Sequence, residues 1–407
     1  MDRTERKNMA EVQIKESPFS PGRPVQPEYF VARIKESQRL ERSVNQTILG
    51  KNENIFITGP RGIGKSSLAG LIKYIAEKHS LIGSHCFLGG VRSLNEMMRM
   101  VFQRLLQDCK DESVFDKLKY IFGDYIKSIT LFGTGVEFTK DKGALQTLVD
   151  NFLPLMRKIY DQIQPNGKKG LTLILDDLNG ISDVPQFSQF LKSFVDELAT
   201  SGKPLPVFLI LVGLPERRDD LIKHQPSVAR IFDIVELPVM APSESEDFFK
   251  EMFGSQNIEV DSDALSLMVN ISGGYPMLMH EVGDAVFWQD KDNRIDRNDA
   301  LGGILEAAQI VGKKYIDPKI SKVLRNKTYV SILSKVVPVV WAGTFERQEI
   351  LQKLPQKEQD NLDNFLRRAR ELGIIELSGS RGEYKFANPL YHLYMGLSLV
   401  KLSWSKK

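Results

Sequence analysis

The chain has 407 residues, of which 42% are hydrophobic and 26% charged, so it carries enough apolar material for two or three packed domains. That composition excludes a peptide, a disordered tail protein and a collagen-like fibre. Lys plus Arg is 55 against 52 for Asp plus Glu, a net charge of +3, yet Ser321 to Lys407 alone hold 15 basic and 8 acidic side chains. A basic surplus confined to the last fifth points to a nucleic-acid partner for that part, or to a solvated basic surface. The two cysteines, Cys86 and Cys109, have no Cys/His spacing around them, so neither a disulfide framework nor a zinc site is expected. The first residues carry charges where a signal peptide needs an apolar core, and no run approaches the roughly 18 to 20 apolar residues of a bilayer span. A soluble, cytoplasmic protein with no membrane partner is expected.

Residues 1–28 are polar and carry Pro18, Pro21, Pro24 and Pro27, which block a helix and leave little to bury, so a flexible arm is expected. From Tyr29 the pattern predicts a short extended stretch and then an amphipathic helix with Ile34, Leu40, Val44 and Ile48 on one side. Apolar runs follow at 54–58, 85–88, 171–175 and 207–212, with a weaker one at 233–237 and helical segments between them. Short unbroken apolar strands alternating with helices predict an α/β domain over 29–240, with a parallel sheet covered on both faces. Within it, the stretch from about 110 to 145 contains FGTGVEFTKDKG, a small hairpin or a surface loop inserted before the third core strand. Residues 241–320 are expected to form a helical subdomain without strands. Residues 321–407 read as three helices and then two strands, IIEL and EYKFA, joined by SGSRG. That order describes a winged helix-turn-helix.

The chemistry is concentrated in one run. Gly59, Pro60, Arg61, Gly62, Ile63, Gly64, Lys65 and Ser66 fit the phosphate-loop pattern G-x-x-x-x-G-K-[ST] between a predicted strand and a predicted helix, the context the motif requires. The glycines let backbone N–H groups turn inward around phosphates, and the helix N-terminus adds its positive dipole end. Lys65 is expected to reach the β- and γ-phosphates of ATP and the Ser66 hydroxyl to ligate Mg²⁺, with Ser67 completing the nucleotide-binding run. Asp176 and Asp177 follow directly on the apolar run LTLIL. Asp176 is placed to hold Mg²⁺ through its water shell, and Asp177 to orient or deprotonate the attacking water. The five histidines, His79, His85, His224, His280 and His392, have no metal-ligand spacing. They are read as structural or surface residues.

With these residues in view, the chain resembles AAA+-like P-loop ATPases of the archaeal-ATPase and STAND type, related to the ATPases of replication initiators and transposition regulators. The resemblance covers nearly everything from Phe30 to about Tyr394. Phe30-Val31-Ala32-Arg33 with Glu36 looks like the group's F-V-G-R-x-x-E motif, Ala32 standing where glycine is usual, and implies that Arg33 lies near the nucleotide. Leu175-Asp176-Asp177 looks like the STAND form of the metal motif, in which a second aspartate replaces the glutamate of most AAA+ motors. The resemblance therefore implies slow hydrolysis, closer to a timed switch than to a motor. The polar residue common after the fourth core strand is missing, and Arg217 and Arg218 are candidate substitutes. Arg230 stands where the group puts its arginine finger, which implies a homo-oligomer in the ATP state. Ser272-Gly273-Gly274-Tyr275-Pro276 is similar to the G-x-P motif whose proline packs on the nucleotide base. By the same analogy His392 could meet a phosphate, although its spacing fits that motif poorly.

In the last domain Arg367, Arg368 and Arg370 on the third helix, with Arg381 and Lys385 in the wing, form a candidate surface for double-stranded DNA. Glu358, Asp360 and Asp363 on the same helix oppose it. The leading expectation is an ATP-controlled, DNA-associated switch. The alternative is a defence- or signalling-type switch whose winged helix is a lid and whose effector is another protein. A continuously hydrolysing motor is disfavoured by Asp177.

Overall fold

The computed structural model describes residues 15–108, 112–129, 136–138, 140–203, 205–318, 326–339, 344–379 and 382–404. They fall into two compact units, Pro24–Pro238 and a second one formed by the residues up to Arg23 with those from Val239 onward.

The first unit runs α1 (Ile34–Ile48), β1 (Glu53–Thr58), α2 (Lys65–Lys78), β2 (Leu81–Phe87), α3 (Leu94–Gln107), α4 (Glu112–Ile121), β3 (Ile126–Ile129), β4 (Val136–Phe138), α5 (Lys142–Asp150), α6 (Phe152–Ile163), β5 (Gly170–Asp176), α7 (Pro185–Thr200), β6 (Val207–Gly213), α8 (Pro215–His224), α9 (Val228–Ile231) and β7 (Asp233–Glu236). Five strands form one parallel sheet in the order β2-β5-β6-β1-β7. Strands β5 and β6 are buried at every residue, as apolar strands covered on both faces must be. On one side Leu173, Leu209 and Leu211 pack with Phe102, Met156 and Leu191. Helix α2 buries Leu68, Ile72 and Ala76. Register places Asp176 of β5 beside Val212 of β6, and Gly213 beside Thr58 of β1. Because all five strands are parallel, the loop after β1 and the carboxylates after β5 emerge at the same sheet edge, the carboxyl edge where α/β folds bind ligands.

Some details differ from the sequence-based expectation. Helix α1 buries Leu40, Ser43, Val44 and Thr47, while Ile34 is 67% exposed at its first turn. Strand β2 starts at Leu81, four residues before the apolar run, and takes Leu81, Ile82, Gly83 and Ser84 into the sheet as well. Gly83 suits this place because an added Cβ would lie 2.8 Å from Cγ of Lys73 on α2. The inserted segment holds β3 and β4, which pair antiparallel.

The second unit runs α10 (Pro242–Gly254), β8 (Glu259–Val260), α11 (Ser262–Ser272), α12 (Pro276–Phe287), β9 (Arg294–Ile295), α13 (Arg297–Val311), a π-helical turn at Gly312–Ile316, α14 (Lys327–Val339), β10 (Phe345–Glu346), α15 (Arg347–Lys353), α16 (Gln356–Gln359), α17 (Leu362–Glu371), β11 (Ile375–Leu377), β12 (Glu383–Phe386) and α18 (Pro389–Trp404). The stretch expected to lack strands contains the short parallel pair β8–β9. The expected third helix is broken into α16 and α17, and β10 joins β12 and β11 in a three-stranded antiparallel sheet. Ile332, Val336, Phe365, Leu366, Phe386 and Met395 share one apolar core there.

The flexible-arm expectation for residues 1–28 is corrected where the chain is described. Phe19 is 5% exposed and sits edge-on to Phe253 at 5.0 Å between ring centroids, with Phe248, Phe249 and His280 around it. Gly283 opens the socket, since a Cβ there would come within 2.1 Å of the Phe19 ring. Lys15 donates to Asp290 Oδ2 at 2.6 Å. One buried aromatic outweighs the helix-blocking prolines: the segment needs no helix of its own when it can insert a ring into another element's core.

Candidate nucleotide site

Strand β1 delivers the chain to Gly59, and α2 begins at Lys65. Between them Gly59, Gly62 and Gly64 have φ of 147°, 80° and 94°, left-handed conformations that only glycine takes without strain. Gly59 is also confined sterically, its missing Cβ facing the Leu237 carbonyl oxygen at 2.8 Å. Gly64 caps α2 without a side-chain hydrogen bond, so the first-turn N–H groups remain available to an anion. Lys65 Nζ donates to the carbonyls of Gly59 and Pro60, both at 2.8 Å. Burial pushes the Lys65 ammonium below its ordinary pKa; Asp176 opposes this, Arg61 adds to it, and Asp177 and Glu216 oppose it further. Lys65 thus senses both carboxylates electrostatically.

Asp176, the last residue of β5, is 3% exposed. Its Oδ1 accepts the Asp177 backbone N–H at 2.7 Å, and its Oδ2 lies 2.9 Å from His85 Nε2. Asp177 takes a left-handed φ of 57°. Its exposed carboxylate accepts a hydrogen bond from the Asn179 side chain and lies over Gly89, where an added Cβ would be 2.6 Å from Oδ2. Ser66 is half-buried in the first turn of α2, while the Ser67 hydroxyl accepts the Val25 backbone N–H at 3.1 Å. Among the described residues no group of three or more His, Cys, Asp or Glu side chains is arranged to hold a metal unaided. The Ser66 hydroxyl and the Asp176 carboxylate are hard oxygen donors, and such a sparse set fits Mg²⁺ shared with phosphates and water.

Arg33 is buried, its side chain 3% exposed, with Nη2 donating to the carbonyls of Pro238 and Ile63 and Nη1 3.7 Å from Glu36. It thereby ties the loop residue Ile63 to the end of the unit. Arg217 is engaged by Asp220 at 2.8 Å and Asp183 at 3.6 Å. Arg230, on the short α9, is exposed, with no ion-pair partner among the described residues. Pro276 opens α12 in the other unit, after Gly273 and Gly274 at φ of 59° and 72°. His392 is buried and its Nε2 lies 2.7 Å from the Val337 carbonyl oxygen.

Of the C-terminal basic residues, Arg367 donates to Asn364 at 3.2 Å, Arg368 pairs with Glu371 at 2.9 Å and Lys385 with Glu376 at 3.0 Å. Arg367 and Arg370 line an open recess of about 480 Å³ with Glu371, Ile375, Glu376 and Leu377. Arg381 lies outside the described residues.

The site residue that motif reasoning missed is His85. An ionisable ring inside a buried strand must find a polar partner or lose stability, and that requirement is its one signal in the sequence.

No protein-family model matches the chain. Over 266 residues it is 22% identical to an uncharacterised HTH-type transcriptional regulator of Methanocaldococcus jannaschii, covering 62% of this chain and 60% of that protein's length. Among solved structures it is similar to the Walker-type ATPase of Pyrococcus abyssi, with TM-score 0.54 and 16% identity over 92% of this chain and 98% of that one. It is also similar to the ORC2 protein of Aeropyrum pernix in its ADPNP–ADP complexes, with TM-score 0.57 and 11% identity over 92% of this chain and 96% of that one. At such identities the likeness is one of fold, and together with the parallel sheet and its glycine-rich loop it gives this chain the P-loop ATPase fold.

Proposed function

We propose that the chain is an AAA+/STAND-like switch that binds ATP with Mg²⁺, hydrolyses it slowly, forms a homo-oligomer in the ATP state and associates with double-stranded DNA through a C-terminal winged helix. The observation that carries the ATP reading is the Lys65 ammonium, held between two loop carbonyls and in the field of Asp176 and Asp177. When ATP arrives, Lys65 exchanges those carbonyls for β- and γ-phosphate oxygens, while the loop amides and the uncapped first turn of α2 take the remaining charge. Ser66 and Asp176 would hold Mg²⁺, which would neutralise charge on the phosphate oxygens. Asp177 orients the attacking water and takes up its proton. Its side chain reaches less far than a glutamate, which favours slow turnover. Exposed Arg230 is supplied to the γ-phosphate of a neighbouring subunit. Arg33 serves the site by bracing the loop. The protein works in the cytoplasm.

A second reading rests on a specific observation. Arg368 and Lys385 are each paired with a glutamate, which lowers the free positive charge and favours a protein effector over a duplex.

The ATP site is tested by substitution. Lys65→Ala abolishes nucleotide binding, and Asp177→Asn keeps binding while turnover falls about 100-fold, within the range a positioned proton acceptor contributes. Calorimetric titration with ATP and a phosphate-release assay check both. Tight ATP binding by the Lys65 variant would overturn the assignment.

A further inference from the structure

We infer that His85 is a positioning residue for the Asp176 carboxylate and so sets how strongly Mg²⁺ is held; the inference rests on the nucleotide-site reading above. Strands β2 and β5 are parallel neighbours, with Phe87 opposite Asp176 and His85 opposite Ile174. From two residues back along β2 the imidazole reaches forward, and its Nε2 comes within 2.9 Å of Asp176 Oδ2. Both groups are buried, at 7% and 3% exposure. For His85 to donate to this oxygen, Nε2 must carry the ring proton. Phe87 stacks on the imidazole at 4.4 Å between centroids and 25° between planes, which limits its rotation.

The other oxygen, Oδ1, accepts the Asp177 amide at 2.7 Å. Two donors, the His85 ring on the neighbouring strand and the amide of the next residue, therefore fix the plane of the carboxylate. A carboxylate held at one oxygen alone swings about its terminal torsion, a broad and weakly restrained one; held at both, it keeps its remaining lone pairs in one direction. Partners of this kind, behind the ligands themselves, commonly control metal affinity by 10–100-fold. The placement also accounts for His85 in the interior of a buried strand, where an apolar residue would pack at lower cost.

The test compares two substitutions on the full chain, with Mn²⁺ as the metal probe and a non-hydrolysable ATP analogue as the nucleotide. His85→Phe keeps a ring against Phe87 and loses the donor. Bound Mn²⁺ read by electron paramagnetic resonance is expected to show roughly tenfold weaker affinity, with analogue binding in excess chelator unchanged. His85→Gln restores a donor and is expected to stay within about threefold of the parent chain, a rescue that a packing role does not give. Equal Mn²⁺ affinity in the parent and the Phe variant, or a Gln variant as weak as the Phe variant, would overturn the inference. A parent chain that binds no nucleotide would instead overturn the site reading beneath it. Nitrogen chemical shifts of the His85 ring in the parent chain need no variant to fold: protonated Nε2 is expected, and a ring protonated only on Nδ1 would sink the proposal.

Discussion

Ala32 and Arg33 are consecutive residues with φ of 66° and 62°, where a side chain costs about 1–2 kcal/mol relative to glycine. Arg33 keeps its conformation through buried hydrogen bonds to Pro238 and Ile63. Ala32 has only a methyl group to set against the strain, and it stands where the resembled motif has glycine. Ala32→Gly relieves that strain while adding backbone freedom to the unfolded chain, an opposing effect of about 0.4–1 kcal/mol. The expected net gain is about 0.5–1 kcal/mol, read as a higher urea midpoint at unchanged slope; a lower midpoint would show that Ala32 sits there without strain. The phosphate loop was legible because its glycines, lysine and serine occur at fixed spacing and each has a local chemical reason. His85 and Arg33 were less so, because what they do depends on partners 91 and 30 residues away.

The same contrast holds for whole elements. Core strands are legible where an apolar run is nearly unbroken, as in β5 and β6, whereas Gly83 and Ser84 interrupt β2 and hide its first residues although they too are buried. The segment around Phe19 shows the opposite case, a polar, proline-rich stretch whose one aromatic ring anchors it. Its partner His280 makes the anchor sensitive to acid. The Ser20 backbone N–H donates to His280 Nδ1 at 3.2 Å, which requires an unprotonated nitrogen, and burial pushes the ring's pKa down to about 4 from its ordinary 6.5. Between those values the unfolded chain holds the extra proton and the folded chain does not. Stability is therefore fully present above about pH 6.5 and declines as the pH falls toward 4. His280→Asn keeps an acceptor for Ser20 and cannot titrate. It is expected to flatten this part of the profile, measured as urea midpoints at pH 7 and pH 5; an equal loss in parent and variant would assign the acid sensitivity to other groups.

At the scale of the molecule, charge is divided unevenly: the last 87 residues hold 15 of the 55 basic side chains and 8 of the 52 acidic ones. No described helix is long and apolar enough to cross a membrane, and a basic surplus suits a polyanionic partner. Whether it reaches a duplex depends on which charges are free, and pairing divides them. Arg368 and Lys385 are compensated by Glu371 and Glu376, whereas Arg367 donates to the neutral Asn364, and neither Arg367 nor Arg370 has an ion-pair partner among the described residues. Phosphate contacts release counterions, so each one lost lowers the slope of log affinity against log salt by about 0.9. Arg367→Ala and Arg370→Ala are each expected to lower that slope by about one, and Arg368→Ala, which leaves Glu371 unpaired, to weaken binding with a smaller change of slope. Fluorescence anisotropy of a labelled duplex across a salt series, with ATP, with ADP and without nucleotide, measures these slopes. A slope unchanged by Arg367→Ala and Arg370→Ala together would remove α17 from the duplex interface. Absence of binding in every nucleotide state would favour the second reading, in which the C-terminal region docks a protein effector.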